Sequence, residues 1–191
     1  MEDAQEYCPK SQKEWRNWLR ANHLNQKAVW LVYFKKKSPR HNLSWSEAVD
    51  EALCFGWIDS TARPIDDEKY KQYFSKRKPK SNWSKINKDK VKELKEQGLM
   101  EAAGLKSIEV AKENGSWTFL DQIEALIIPE DLDYALTQVP KATDYFNGLG
   151  KSDKKILLHW VFSAKRPATR QKRISEIAES AEKQTKPQQF R

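Results

Sequence analysis

Val29 to Phe34, VWLVYF, is an unbroken run of β-branched, aromatic and aliphatic side chains that ends at Lys35-Lys36-Lys37. A half-exposed strand alternates apolar with polar residues, and a helix needs a longer segment. The run therefore predicts a strand that is central in its sheet and buried on both faces. Such a strand needs hydrogen-bonded neighbours and apolar cover, which excludes an all-helical chain.

Flanking helices are expected to supply that cover. Ser11-Gln12-Lys13-Glu14 has the form of a capping box, and Trp15, Trp18 and Leu19 follow on one face, predicting a helix over about 11–22. Ser44-Trp45-Ser46-Glu47 repeats the form, with Ala48, Val49, Ala52 and Leu53 at helical spacing up to Gly56, predicting a helix over about 45–54. Trp57–Ala62 and Tyr70–Lys76 read as two more strands, joined through Pro64 and Asp66-Asp67-Glu68. With a period of two, Trp57, Asp59, Thr61 and Arg63 are expected on one face. After Pro79, Ser81 or Ser84 caps a helix with Trp83, Ile86, Val91 and Leu94 on its inner side and lysines on the other.

From Gly98 onward the pattern is helical. Helices are expected over Glu101–Asn114, from Pro129, from Ala142, from a Ser152 cap with Ile156, Leu157, Trp160 and Val161 inward, and after Arg166-Pro167 with Ile174, Ile177, Ala178 and Ala181 inward. The fold class predicted is α+β: a small, mainly antiparallel sheet with flanking helices and a C-terminal helical subdomain. The expected divisions are a flexible N-terminus (1–10), an α+β domain (11–117), a helical subdomain (118–183) and a flexible tail (184–191). Trp15, Trp18, Trp30, Trp45, Trp117 and Trp160 are expected to fill much of the core.

The net charge of +8 is concentrated in one place, because Lys69 to Lys95 holds eleven Lys or Arg against Asp89 and Glu93 alone. A local basic balance attracts phosphates, nucleic acid or acidic protein surfaces, although a solvated helix face would read the same way. The first ten residues, MEDAQEYCPK, lack the apolar core of a signal peptide, and no window reaches the ~18 apolar residues of a membrane span. The expectation is a cytoplasmic chain without a membrane span.

Cys8 and Cys54 have no redox or ligand spacing, and His23, His41 and His159 stand apart in three unrelated contexts, so no metal and no cofactor are expected. Gly-rich phosphate loops, nucleophile elbows and zinc-protease motifs are absent from the sequence. Asp59 is the best candidate for a general acid or base, with Arg63 near enough to hold it ionised or to pair with it structurally. Around the helix start at Ser84, the residues Arg77, Lys78, Lys80, Asn82 and Lys85 form an anion-receiving group, because free N–H groups and the helix dipole add to the cationic side chains.

The segments ALCFGWID, RKPKSNWSKIN and LHWVFSAKRPATRQKRI carry a resemblance. They resemble the YdeI or OmpD-associated bacteriocin-protection family (OmdA), whose members show a GWID-G segment, a basic TPRRPxSxWSxxN segment and a SAKRPETRxxRI helix pair. Phe55 to Asp59 correspond to the first, Arg77, Pro79, Ser81, Trp83, Ser84 and Asn87 to the second, and Ala164 to Pro167, Thr169, Arg170, Arg173 and Ile174 to the third. Ser60 stands where Gly is usual and Lys78 where a second Arg is usual. The resemblance implies a bacterial protein associated with tolerance of cationic peptides or bacteriocins, with no established reaction.

The functional expectation is a binding protein. Its cleft is built from Trp57, Asp59, Arg63, Arg77, Asn82, Ser84 and Lys85 and receives an anionic small molecule or an acidic protein segment. The alternatives are a small hydrolase or transferase using Asp59 with Arg77 as an electrostatic clamp, and weak, nonspecific nucleic-acid binding through 69–95 with Trp83 or Tyr73 stacking on bases.

Overall fold

The computed structural model describes residues 4–191, so the start of the expected flexible N-terminus lies outside the described residues. The chain divides into two compact units, one ending at Thr118 and the other spanning Phe119–Arg191.

In the first unit the elements run β1 (Glu6–Tyr7), α1 (Gln12–Asn22), β2 (Ala28–Phe34), α2 (Trp45–Cys54), β3 (Trp57–Pro64), β4 (Lys69–Lys76), α3 (Lys85–Glu96) and α4 (Ala102–Glu113). The strands form one sheet in the order β1-β2-β4-β3, with β1 parallel to β2 and the other pairs antiparallel. This is the expected α+β class. β2 has a strand on each side, and Val29 to Tyr33 are all buried.

Its two faces are covered differently. Val29, Leu31 and Tyr33 pack with Trp15, Leu19, Ala48, Leu53 and Phe74 in the main core. On the other face Trp30 meets the edge of Tyr73 at 5.1 Å and lies under the cationic groups of Arg63 at 5.2 Å and Lys71 at 5.1 Å. Long cationic side chains can cover an aromatic ring with their stems and hold their charge over its face. The short strand β1, inside the polar terminus, is anchored by Tyr7, whose ring stacks on Trp18 at 5.6 Å.

The caps follow the sequence signals. Ser44 closes a full capping box with Glu47, its N–H donating to Oε2 at 2.7 Å and its hydroxyl accepting from the Glu47 N–H at 3.2 Å. At α1 Ser11 caps alone, because the Glu14 carboxylate takes the Lys10 N–H instead, at 2.6 Å. Ser84 is the cap of α3.

Three expected core residues lie outside it: Trp45 is 43% exposed, Ile86 61% and Ile156 46%. Ile86 and Ile156 precede the buried Val91 and Val161 by five residues, which places each about 140° around its helix from the inward stripe. Trp45 opens α2, where its ring turns toward β3 instead of inward.

The second unit carries α5 (Asp121–Glu124), α6 (Glu130–Thr137), α7 (Ala142–Gly148), α8 (Lys151–Phe162) and α9 (Pro167–Glu182), followed by a 3-10 turn at Gln188–Phe190. Its core gathers Ile123, Leu132, Leu136, Phe146, Leu157, Leu158, Val161, Ile174 and Ile177. α8 begins two residues earlier than expected, with Gly150 as its cap, so Ser152 lies inside the helix. Among the described residues no helix is long and apolar enough to cross a membrane.

Candidate functional site

Two glycines bring the walls of a pocket together in the first unit. Gly56 turns the chain from α2 into β3 at φ +70°, a conformation costly for other residues. At Gly104 a side chain would put Cβ 2.2 Å from the Cys54 carbonyl oxygen, so only glycine lets α4 seat against the end of α2. The Glu101 N–H donates to that same carbonyl at 3.1 Å.

The resulting cavity holds about 250 Å³. Its walls come from the end of α1 (His23, Leu24), the α2–β3 turn (Phe55, Gly56, Trp57), the end of β4 with the chain after it (Lys76, Arg77, Lys78, Pro79) and α4 (Ala103, Lys106, Ser107, Val110). Among the described residues the lining has four cationic side chains and no carboxylate. Lys76 donates to the Leu24 carbonyl at 2.5 Å and Lys106 approaches Glu109 at 3.3 Å, while Lys78 has no ion pair among the described residues.

Arg77 is the unusual member. Its N–H closes the sheet end by donating to the Gly56 carbonyl at 2.9 Å. Its guanidinium lies 3.7 Å from the centroid of the Trp83 ring, and Nη1 donates to the Asn82 carbonyl at 2.9 Å. Nε and Nη2 are buried with no hydrogen-bond partner among the described residues. Burial pushes its pKa down to about 10, and the nearby Asp59 charge offsets only part of that. A guanidinium has five N–H donors and stays charged at neutral pH, so this side chain is a buried cation with unused donors.

The other expected site residues are distributed as follows. Trp57 is fully buried, its ring edge-on to Trp18 at 5.9 Å and its Nε1 donating to the His23 carbonyl at 3.4 Å. Asp59 is half-buried, and its Oδ2 accepts from Trp45 Nε1 at 2.9 Å and Gln72 Nε2 at 2.6 Å. Ser84 Oγ accepts from its own helix, from the Asn87 N–H at 3.3 Å, and the exposed Lys85 pairs with Asp89 at 2.8 Å. Asn82 is exposed and meets Arg77 through its main chain. The pocket thus takes in Trp57, Arg77 and Lys78, while Asp59, Lys80, Asn82, Ser84 and Lys85 lie outside its lining.

Arg63 departs from the expected face. Asp59 pairs with Phe74 but Ala62 pairs with Gln72, so β3 holds one residue more than β4 over this stretch. The bulge at Ser60-Thr61 resets the alternation. Arg63 now pairs with Lys71 and projects over Trp30, on the sheet face opposite Asp59.

His23, Lys106, Ser107 and Val110 line the pocket without any motif to mark them. The available signal was Gly104, a glycine inside a helical pattern that close backbone approach explains. Among the described residues no group of three or more His, Cys, Asp or Glu is placed to hold a metal ion.

In the second unit the residues of the third motif have architectural contacts. Pro167 starts α9, and Arg170 grips Asp131 of α6 with two bonds, Nε to Oδ2 at 2.6 Å and Nη2 to Oδ1 at 2.8 Å. Arg173 Nη1 donates to the Trp160 carbonyl at 2.5 Å and to Ser163 Oγ at 3.1 Å, at the end of α8.

A family model described as "Domain of unknown function (DUF8412)" matches residues 7–107, a span containing the pocket apart from Val110. A second, described as "Bacteriocin-protection, YdeI or OmpD-Associated", matches residues 125–184, including the Arg170 and Arg173 contacts. No curated protein and no solved structure matches the chain. With the first model covering more than half of its length, the chain belongs to the DUF8412 family, and the segment after it matches the bacteriocin-protection, YdeI or OmpD-associated model.

Proposed function

We propose that the first unit is a binding module that takes an anionic small molecule into the pocket beside Arg77. The observation that carries this reading is the buried guanidinium with two unpartnered nitrogens on the wall of a cavity lined by cations and no carboxylate among the described residues. A cation in that state gains from any anion brought within a few ångströms, because the surroundings screen the attraction less than water does. The cavity of about 250 Å³ suits a small molecule better than a peptide segment. Asp59, with both bonds on one oxygen coming from protein donors, supports a binding role over a catalytic one. The match of 125–184 suggests a bacteriocin-protection-like protein, and ligand binding by the first unit is compatible with that setting.

Calorimetric titration at low salt with inorganic phosphate and with acetate tests the reading. Saturable binding is expected, and Arg77→Gln should weaken it about tenfold or more while the far-UV circular dichroism stays unchanged. Absence of saturable binding, or equal binding by the variant, overturns it.

A further inference from the structure

We infer that the preferred ligand of this pocket is a monocarboxylate with a compact apolar body, an aromatic ring or a branched alkyl group, and not a phosphorylated sugar or other polyol. This rests on the anion-binding reading and specifies what else the anion must carry.

The first observation concerns charge. Of the four lining cations only Lys106 has an ion pair among the described residues, with Glu109, while Lys76 is held by the neutral Leu24 carbonyl, so Lys76, Arg77 and Lys78 keep their charge without a carboxylate partner. One carboxylate can take two parallel bonds from a guanidinium and neutralise one of these charges. The second observation concerns the polar groups of the lining. Ser107 Oγ already donates to the Gly104 carbonyl at 2.7 Å, His23 Nδ1 faces the Leu19 carbonyl at 3.0 Å, and the Leu24 and Gly56 carbonyls take Lys76 and the Arg77 N–H. These few groups keep lone pairs but cannot meet every hydroxyl group of a sugar, and each hydroxyl buried against apolar side chains without a partner weakens binding.

The third observation is the apolar surface. The apolar members of the lining are Leu24, Phe55, Trp57, Pro79, Ala103 and Val110, and Leu24 stands at the pocket although its residue is 70% exposed. An exposed leucine beside an otherwise formed cavity gains apolar contact when a ligand covers it. Size sets the limit. A cavity of ~150 Å³ is enough for benzene, so about 250 Å³ holds one ring with its carboxylate but not a long acyl chain.

The test compares phenylacetate, acetate, gluconate, inorganic phosphate and the uncharged 2-phenylethanol by calorimetry on the full chain. Phenylacetate is expected to bind at least about tenfold more tightly than acetate, gluconate or phosphate, because a ring removes a large apolar area from water. 2-Phenylethanol should bind at least about tenfold more weakly than phenylacetate, since it lacks the charge-assisted bonds. Leu24→Ser should shrink the advantage of phenylacetate over acetate, while Leu105→Ser, on α4 but outside the lining, should leave it unchanged. If phosphate and acetate bind through Arg77 but the ring adds nothing, or gluconate binds best, the ligand class is wrong and the anion-binding reading survives. If no anion binds at all, both fall.

Discussion

At the scale of single residues, burial sorts the two thiols as clearly as it singles out Arg77. Cys8 is exposed and Cys54 is fully buried at the end of α2, where burial pushes its pKa up to about 11. An unfolded thiol ionises near ~8.5, so above that pH the folded chain still holds a proton that the unfolded chain has lost. The contribution of Cys54 to stability is therefore fully present below the unfolded value and is lost as pH rises through about 11. Two measurements follow. A thiol reagent should modify Cys8 at once and Cys54 only on unfolding. Urea unfolding between pH 8 and pH 10.5 should also show a fall in stability that is smaller in Cys54→Ala. Rapid modification of both thiols in the folded chain would mean that α4 does not seal the end of α2.

At the scale of elements, the arginines of α9 hold three helices in register. Arg170 ties α9 to α6 through both oxygens of Asp131 and also donates to the Val161 carbonyl of α8 at 3.3 Å. A lysine has a point charge in place of a planar fork, so Arg170→Lys should cost about 1–2 kcal/mol in urea unfolding. Hydrogen bonds from Arg170 hold the Asp131 carboxyl below the usual carboxylate range. Stability from this pair is thus present above the ordinary aspartate pKa and is lost as pH falls through the lowered folded value. Asp131→Asn should remove that part of the acid sensitivity, and an unchanged acid profile in the variant would show that the pair contributes nothing.

The same scale shows what was legible in the sequence. β2 was visible because an apolar run of that length has one reading, and α2 because Ser44 and Glu47 mark its start. The face of Arg63 was not, since one additional residue at Ser60-Thr61 changes no composition or period that can be counted yet reverses every later side chain in β3. The pocket was half legible. Trp57, Arg77 and Lys78 stand out by their residue types, but His23 and the α4 wall arrive through tertiary packing at Gly104, which no local pattern encodes.

At the scale of the whole molecule, the basic stretch of the sequence is not a single basic surface. Lys71 reaches Glu6 on the Trp30 face, Lys69 pairs with Asp66, Lys90 with Asp50 at 2.6 Å and Lys85 with Asp89, and Arg77 is buried over Trp83. Polyanion binding grows with the number of cations that meet phosphates together, and paired or separated cations release few counterions. The chain, at a net charge of +8, should therefore bind heparin only weakly at about 50 mM salt and elute well below about 200 mM. Such retention draws on exposed lysines and not on the pocket, so Arg77→Gln should elute at the same salt concentration as the parent while losing its affinity for carboxylates. Tight retention at high salt, or a large shift in elution caused by Arg77→Gln alone, would mean that the pocket opens onto a polyanion-binding face and that its ligand is the end group of a larger anionic molecule.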